Sequence, residues 1–378
     1  MFPWLAFGHM IPYLELAKLR AQKGHKITFF STPRNIDRLP KIPSDLVPPE
    51  ATTDVPYNII LYLKLALDGL KEQVSKFLGT LSPDWVLYDF THYWMPEIAT
   101  SLDISKAFFS IYLAAMISVV KPPNEPKNRT KAEDYMVPTK WVPLETTTVF
   151  RLLEIRRIMD VRTRMVEELH GKPFIPVGVL LTTECNDGEE ETRTWRSMKE
   201  GLDKQEKGSV VYVAFGSEAK PSQEELTETA LGLELSGFAF FWVLRKRRGL
   251  ADPEVIELPE AFEERTKERG AVYTSWAPQL KILAHDSIGG FLTHSGWSSV
   301  VEALEHERPL ILRTYLADQG INARVLEEKK MGYLIPRNEI DRSFIRDTVA
   351  ELVRLVMLEK EGKYREKIKE MKDLLCDS

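Results

Sequence analysis

Cysteine is scarce: Cys185 and Cys376 are the only two in 378 residues. They lie far apart without metal-ligand spacing, which speaks against a disulfide framework and a zinc site and fits a reducing, cytoplasmic setting. No apolar run approaches the roughly 20 residues that a membrane-spanning helix needs. Positive charge is not in excess either. With 51 Lys and Arg against 56 Asp and Glu, net −5, the chain lacks the clustered cations that nucleic-acid phosphates require. Three short signatures are also missing. LAFGHM carries no GxGxxG fingerprint, as a nucleotide-cofactor oxidoreductase would need. Ser295 sits in T-H-S-G-W and not in a GxSxG nucleophile elbow, which argues against a serine hydrolase. No D-x-D pair stands at a strand end to hold Mg²⁺.

What is present is the composition of a soluble globular protein, 43% apolar with a mean hydropathy below zero. The length suits two domains better than one core. The opening MFPWLAFGHMIP is apolar but has no basic start and no small-residue cleavage site, so it reads as the first strand of a fold and not as a signal peptide.

Apolar runs and helical spacing alternate along the chain. Phe2–Phe7 is strand-like, Gly8-His9 a turn, Pro12–Lys23 a helix begun by proline, and Ile27–Ser31 a second strand, a βαβ opening. Tyr57–Leu81 reads as helix, Asp84–Asp89 as strand, Tyr93–Leu102 as helix and Lys106–Ile111 as strand. The stretch Lys121–Asp134, with Pro122, Pro123 and Pro126, is a surface loop. Arg151–His170 is helical, and the acidic run Thr182–Thr192 is the candidate linker. Alternation then resumes: Trp195–Gln205 helix, Ser209–Phe215 strand, Glu224–Leu235 helix, Phe238–Leu244 strand. Ile321–Lys330 and Ser343–Leu375 are helical, the latter broken near Gly362. These readings predict an α/β chain of two doubly wound domains: residues 1–181, a linker at 182–192, and residues 193–378.

The richest stretch runs from Trp276 to Gln319, WAPQLKILAHDSIGGFLTHSGWSSVVEALEHERPLILRTYLADQ. Ile288–Thr293 is a strand, His294-Ser295-Gly296 a turn, Trp297–Glu305 a helix and Leu310–Leu312 a strand. Polar residues fall at the seams, where an open α/β sheet keeps its binding groups. A glycine there lets backbone approach a ligand, and a helix start offers unpaired N–H groups to an anion.

This stretch resembles the donor-binding signature of the plant family-1 glycosyltransferases, which move a sugar from a uridine diphosphate to a small molecule. The resemblance extends to FGHMIPYLELA and VVYVAFGSEA and so spans most of the chain. It implies the GT-B fold, two Rossmann-like domains facing across a cleft. By it, Trp276 stacks on uracil, and Ala277 and Gln279 bind base and ribose. His294, Ser299 and the backbone near Trp297 hold the diphosphate, Glu302 the ribose hydroxyls, and Asp318 with Gln319 the sugar. Ser298 stands where Asn is usual, which removes one amide contact to phosphate. Arg313 stands where Trp is usual, which alters the expected wall beside the sugar. Gly216 and Ser217 end a strand and can face the sugar or diphosphate.

His9 and Asp89 carry the proposed chemistry. An imidazole at a strand end can take a proton from an attacking hydroxyl, although an isolated His is more often a capping or surface residue. Asp89 can fix that ring in one tautomer or act as a helix N-cap. The resemblance favours base and orienting carboxylate. His92 is read as an acceptor-pocket or surface residue, and Trp4, Trp94 and Trp242 as core or pocket wall. Segments that the family carries near residues 50 and 160 are absent, so His9 and Asp89 stand closer in sequence than is usual. The implied reaction is inverting, metal-independent and cofactor-free, and runs in a monomer. It uses a UDP-sugar, with Gln319 favouring glucose, and a small-molecule acceptor, a terpenoid or flavonoid glycoside or its aglycone. The look of FPWLAFGHMIP, HSGWSS and LRTYLADQG points to the sugar-on-sugar branching subgroup. A catalytically inactive nucleotide-sugar-binding protein is the other class left open; it would keep the cleft and lose the base.

Overall fold

The computed structural model describes residues 1–32, 35, 60–120, 131–138, 146–152, 154–155, 177–180, 189–217, 219, 221–244, 257–316, 318–338, 341–359 and 362–376. The first half carries α1 (Phe7–Gln22), α2 (Ile60–Asp68), α3 (Lys71–Leu81), β1 (Trp85–Tyr88), α4 (Met95–Ser101), β2 (Ser105–Phe108) and α5 (Ala114–Val120), followed by a 3-10 turn at Ala132–Tyr135. β1 and β2 pair in parallel from Trp85↔Ser105 to Tyr88↔Phe108. Phe2 joins β1 by a parallel bridge to Tyr88. On its other side the Met1 carbonyl accepts from the Phe30 N–H at 2.8 Å, and the Met1 amine donates to the Thr28 carbonyl at 2.6 Å. The extended segments thus lie in the order 28–30, 1–2, β1, β2.

Three expectations change here. Phe2–Phe7 contributes only the bridge at Phe2, and Ile27–Ser31 is extended without forming a named strand. Helix α1 begins at Phe7, with the Met10 N–H donating to the Ala6 carbonyl at 2.9 Å. Gly8-His9 is therefore a first helical turn and no connecting turn, and Pro12 lies inside the helix. An interior proline forfeits the bond to the carbonyl four residues back. Burial of Met10, Tyr13 and Leu14 around it outweighs that loss.

The second half runs α6 (Glu189–Leu202), β3 (Val210–Ala214), α7 (Gln223–Ser236), β4 (Ala239–Val243), α8 (Phe262–Thr266), β5 (Gly270–Tyr273), α9 (Gln279–Ala284), β6 (Ile288–Thr293), α10 (Trp297–Glu305), β7 (Leu310–Leu312), α11 (Gln319–Glu328), β8 (Gly332–Leu334), α12 (Arg346–Leu358) and α13 (Lys363–Cys376). Its sheet has the order β5-β4-β3-β6-β7-β8, parallel throughout. That is the doubly wound order whose direction reverses between β3 and β6, so the crevice beyond those two strand ends is where such a sheet binds its ligand.

Both faces of this sheet are covered, so its strands are apolar on both sides. Val210, Tyr212 and Ala214 of β3 join one core with Phe291, Leu310 and Leu312. Val211 and Val213 point the other way, into a core with Leu233, Trp242, Leu292, Ile311, Val349 and Val353. The period-2 alternation of a strand sets this division. Helix α6 starts inside the stretch expected to be linker, so residues 189–192 are helical. The break expected near Gly362 separates α12 from α13, with Gly362 at φ +157°. Residues 121–130 of the expected surface loop, residues 182–188 of the linker, the gaps near 50 and 160 and nearly all of the helix Arg151–His170 lie outside the described residues. Among the described residues no helix is long and apolar enough to cross a membrane.

Candidate active site

His9 is the third residue of α1, and Asp89 follows the last residue of β1. Their side chains meet, His9 Nδ1 lying 2.7 Å from Asp89 Oδ2. The Trp4 N–H donates to Asp89 Oδ2 at 3.0 Å and the Phe90 N–H to Oδ1 at 2.7 Å. Both residues are buried, His9 8% and Asp89 1% exposed. Burial alone would raise the Asp89 carboxyl. The His9 charge, its hydrogen bond and the two backbone donors outweigh this and hold the carboxyl below its ordinary range. An ionised Asp89 fixes the proton on His9 Nδ1, which assigns proton acceptance to Nε2. Phe90 and Tyr112 rings lie against His9, with centroids at 5.4 and 5.6 Å.

His92, expected as a pocket or surface residue, is neither exposed nor partly so. It is fully buried with its ring 3.9 Å from that of Phe2. Burial lowers its pKa to about 4. Between about pH 4 and 6.5 the unfolded chain therefore binds a proton that the folded chain refuses, and this residue's share of the stability falls by roughly 1.4 kcal/mol per pH unit as pH drops through that window. We expect the melting temperature to decline from pH 6.5 downward and the His92 ring to show no NMR titration above pH 5. A ring titrating near its ordinary value would contradict the packing against Phe2. Trp4, Trp94 and Trp242 are core residues, each under 8% exposed.

The second cluster stands at the β3–β6 crevice. His294 follows β6, and Gly216 follows β3 with φ +70°. A Cβ on Gly216 would lie 2.6 Å from His294 Nε2, and one on Gly296 2.3 Å. The imidazole is thus gripped between two backbone segments that only glycine permits. Burial lowers its pKa to about 4, so the ring is neutral when the crevice holds no anion. Ser217 is partly exposed beside it. Gly296 occupies the N-cap of α10 without a side-chain cap, so the first N–H groups of that helix, at Trp297, Ser298 and Ser299, are oriented for an anion. Ser295 adopts φ +65° to make the turn.

Further along this face, Gln279 Nε2 donates to Ser299 Oγ at 2.9 Å and to Glu302 Oε2 at 2.7 Å. Glu302 is 8% exposed and no surface glutamate. Trp276 is 47% exposed, while the adjoining Ala277 is buried. Gln319 Oε1 accepts from the Tyr315 and Leu316 N–H groups at 2.8 and 3.0 Å, which commits the carbonyl end of its amide to that turn. Asp318 does not cap α11 with its side chain. It accepts from Asn322 Nδ2 at 2.7 Å, and the same nitrogen reaches the Ser295 carbonyl at 3.1 Å. Burial raises the Asp318 carboxyl, opposed by the Asn322 bond and by the charge of His9. Sequence reading missed Asn322; its signal was the i, i+4 spacing from Asp318 on one helix face.

Arg313 is the clearest correction. It is fully buried, with its side chain in the core and not on a cleft wall. Its guanidinium stacks on Phe215, Tyr315 and Phe344 at 4.8, 4.4 and 4.6 Å. Nη1 donates to Thr229 Oγ1 at 2.7 Å, and Nη2 stands 3.4 Å from Glu225 Oε2. Residue 313 lies two beyond Ile311, so alternation turns it to the α7 face of the sheet. Arg313→Met should cost about 3 kcal/mol of stability, because it strips a buried pair of one partner, and should leave donor choice unchanged. Denaturant unfolding and a donor panel check both parts.

A family model described as UDP-glucoronosyl and UDP-glucosyl transferase matches residues 153–373. UDP-glycosyltransferase 91A1 of Arabidopsis thaliana is 49% identical over 435 aligned positions, which take in 100% of this chain and 92% of that protein. The alignment is longer than the chain itself, so the relative has segments that this chain lacks. Soyasaponin III rhamnosyltransferase of Glycine max is 41% identical, covering 98% of this chain and 90% of that one. Among solved structures, a UDP-glucosyltransferase from Polygonum tinctorium superimposes with TM-score 0.76 at 24% identity, over 99% of this chain and 93% of that one. A ugt transferase from Siraitia grosvenorii in complex with UDP gives 0.75 at 20% identity, over 100% and 94%. The fold is accordingly that of two Rossmann-like domains, and the chain belongs to the UDP-glucoronosyl and UDP-glucosyl transferase family, whose members carry sugar from a UDP donor.

Proposed function

We propose that this enzyme transfers glucose from UDP-glucose to a hydroxyl of a small-molecule glycoside, with inversion at the anomeric carbon. The observation that carries the mechanism is the 2.7 Å contact between His9 Nδ1 and Asp89 Oδ2, which joins the first turn of α1 to the end of β1. The acceptor oxygen attacks the anomeric carbon while its proton passes to His9 Nε2. The bond from that carbon to the diphosphate oxygen breaks on the opposite face, and UDP leaves with the electron pair. Asp89 stabilises the imidazolium that forms.

The donor reading follows the second cluster. Trp276 presents an exposed face for uracil, and Ala277 with Gln279 lies beside base and ribose. Glu302, oriented by Gln279, accepts from ribose hydroxyls. His294, Ser298, Ser299 and the backbone at Trp297 hold the diphosphate with Gly216 and Ser217, the charge being met by a helix start and neutral donors in place of a metal ion. Asp318 accepts from sugar hydroxyls and Gln319 donates through its amide. The acceptor domain is residues 1–181. The donor domain begins with α6 at Glu189, a few residues before the boundary read from composition. We place the enzyme in the cytoplasm, acting as a monomer without a cofactor.

A second donor is supported by one finding, the rhamnosyltransferase named among the relatives. Arg313 gives this second donor no support, since its side chain is turned into the core. A donor panel of UDP-glucose, UDP-rhamnose and UDP-galactose against terpenoid and flavonoid glycosides and their aglycones, read by mass spectrometry, decides between them. Transfer from UDP-glucose to a glycoside is the expected product; transfer only from UDP-rhamnose, or only to aglycones, would reject this reading.

A further inference from the structure

Helix α11 has two working faces. Ala323 and Leu326 enter the core of its own sheet. Ile321 and Val325 instead join a cluster with Met116, Tyr135, Phe150 and Ile155, all from the first half. Arg324 and Glu328 extend that outward stripe at helical spacing. Glu328 Oε2 accepts from Thr146 Oγ1 at 2.9 Å and Thr148 Oγ1 at 3.0 Å. Arg324 makes a two-pronged pair with Glu154, Nη1 to Oε1 at 3.1 Å and Nη2 to Oε2 at 2.5 Å.

Glu154 is held at both ends. It is 7% exposed, and its Oε2 also accepts from the Arg151 N–H at 2.9 Å. Its carboxylate lies so close to the first turn of α11 that a Cβ on Gly320 would stand 2.0 Å from Oε1. Gly320 adjoins Gln319 and is two residues from Asp318. A negative charge is electrostatically favoured at that end of a helix, and a paired, buried carboxylate is costly to displace. The first half thus bears directly on the turn from which the second half presents its sugar-binding side chains.

We propose that Glu154, with Arg324, is a positioning residue for transfer: the pair sets where Asp318 and Gln319 stand relative to His9, and so how the anomeric carbon meets the attacking oxygen. This rests on the roles assigned above to His9, Asp318 and Gln319. A displacement of about 1 Å in such a geometry costs on the order of a hundredfold in rate. Uracil, ribose and diphosphate are held by residues outside α11, which reaches their cluster through the Asn322 bond to the Ser295 carbonyl, so their affinity is expected to change little.

The test measures kcat, donor KM, UDP affinity by calorimetry and melting temperature for Glu154→Gln, Arg324→Gln and the double variant. We expect kcat to fall about ten- to a hundredfold in either single variant, UDP affinity to stay within about twofold, and the double variant to be no slower than the worse single one, because the two act as a unit. Gly320→Ala drives a wedge at the same contact without touching either charge and should give the same split. It decides the matter if a charge variant fails to fold. Unchanged kcat in all variants, or UDP affinity and melting temperature falling in step with kcat, would overturn the proposal. A wild-type enzyme that transfers sugar but is matched by Glu154→Gln defeats this inference alone. A wild type whose turnover survives loss of His9 defeats the catalytic reading beneath it as well.

Discussion

Replacing His9 with alanine is expected to lower kcat by about a hundred- to ten-thousandfold, the range over which a positioned general base acts, with UDP affinity unchanged to within about twofold. The His9 side chain is nearly enclosed, 10% exposed, with Phe90 and Tyr112 against it. Bulk water is therefore a poor substitute proton acceptor. His9 stands on α1 of the first half, whereas Trp276, Gln279, His294 and Glu302, the proposed donor residues, belong to the second, so the variant is expected to separate chemistry from binding. Steady-state rates beside calorimetric titration with UDP measure both. A variant turning over at the wild-type rate would remove His9 from the mechanism, and one that lost UDP affinity in proportion would make it a packing residue.

The second large effect is expected at Asp89. Asp89→Asn keeps the size of the side chain but replaces one acceptor oxygen with a donor amide. Facing His9, that amide favours a proton on Nε2, the nitrogen that has to receive one. A loss on the order of a thousandfold or more in kcat follows, as in triads whose carboxylate is converted to amide. Stability changes too, with a definite sign. Because the folded carboxyl is held below its ordinary range, its contribution is full above the unfolded pKa of about 3.9 and is lost as pH falls through the depressed folded value. The wild type should therefore exceed Asp89→Asn in stability at neutral pH, with the gap closing below about pH 4. A gap that stays constant with pH would mean that Asp89 is not ionised in the fold, and its orienting role would go with it.

Much of this site was legible in the sequence for identifiable reasons. The strand Ile288–Thr293, the helix Trp297–Glu305 and the strand Leu310–Leu312 have the bounds that their apolar runs and the His-Ser-Gly seam suggest. In those segments local propensity and tertiary burial agree. The failures have separate causes. β8 has three residues and α8 five, too few for a period to register. Proline at 12 signalled a helix start, yet packing of Met10 and Tyr13 carried α1 back to Phe7. Arg313 was misplaced by analogy with a wall position, although counting by twos from Ile311 would have turned it inward. The burial of His92 against Phe2 was beyond reach, because it joins residues far apart in the chain.

The two-faced helix α11 carries a lesson for recombination. Exchanging the acceptor half between relatives is an obvious route to new products, since that half is expected to choose the acceptor. Yet Thr146, Thr148, Phe150 and Glu154 would travel with the graft while Ile321, Arg324, Val325 and Glu328 stayed behind. A chimaera mismatched along this seam would fold in both parts and still turn over slowly, and restoring the eight residues as a matched set should recover the speed.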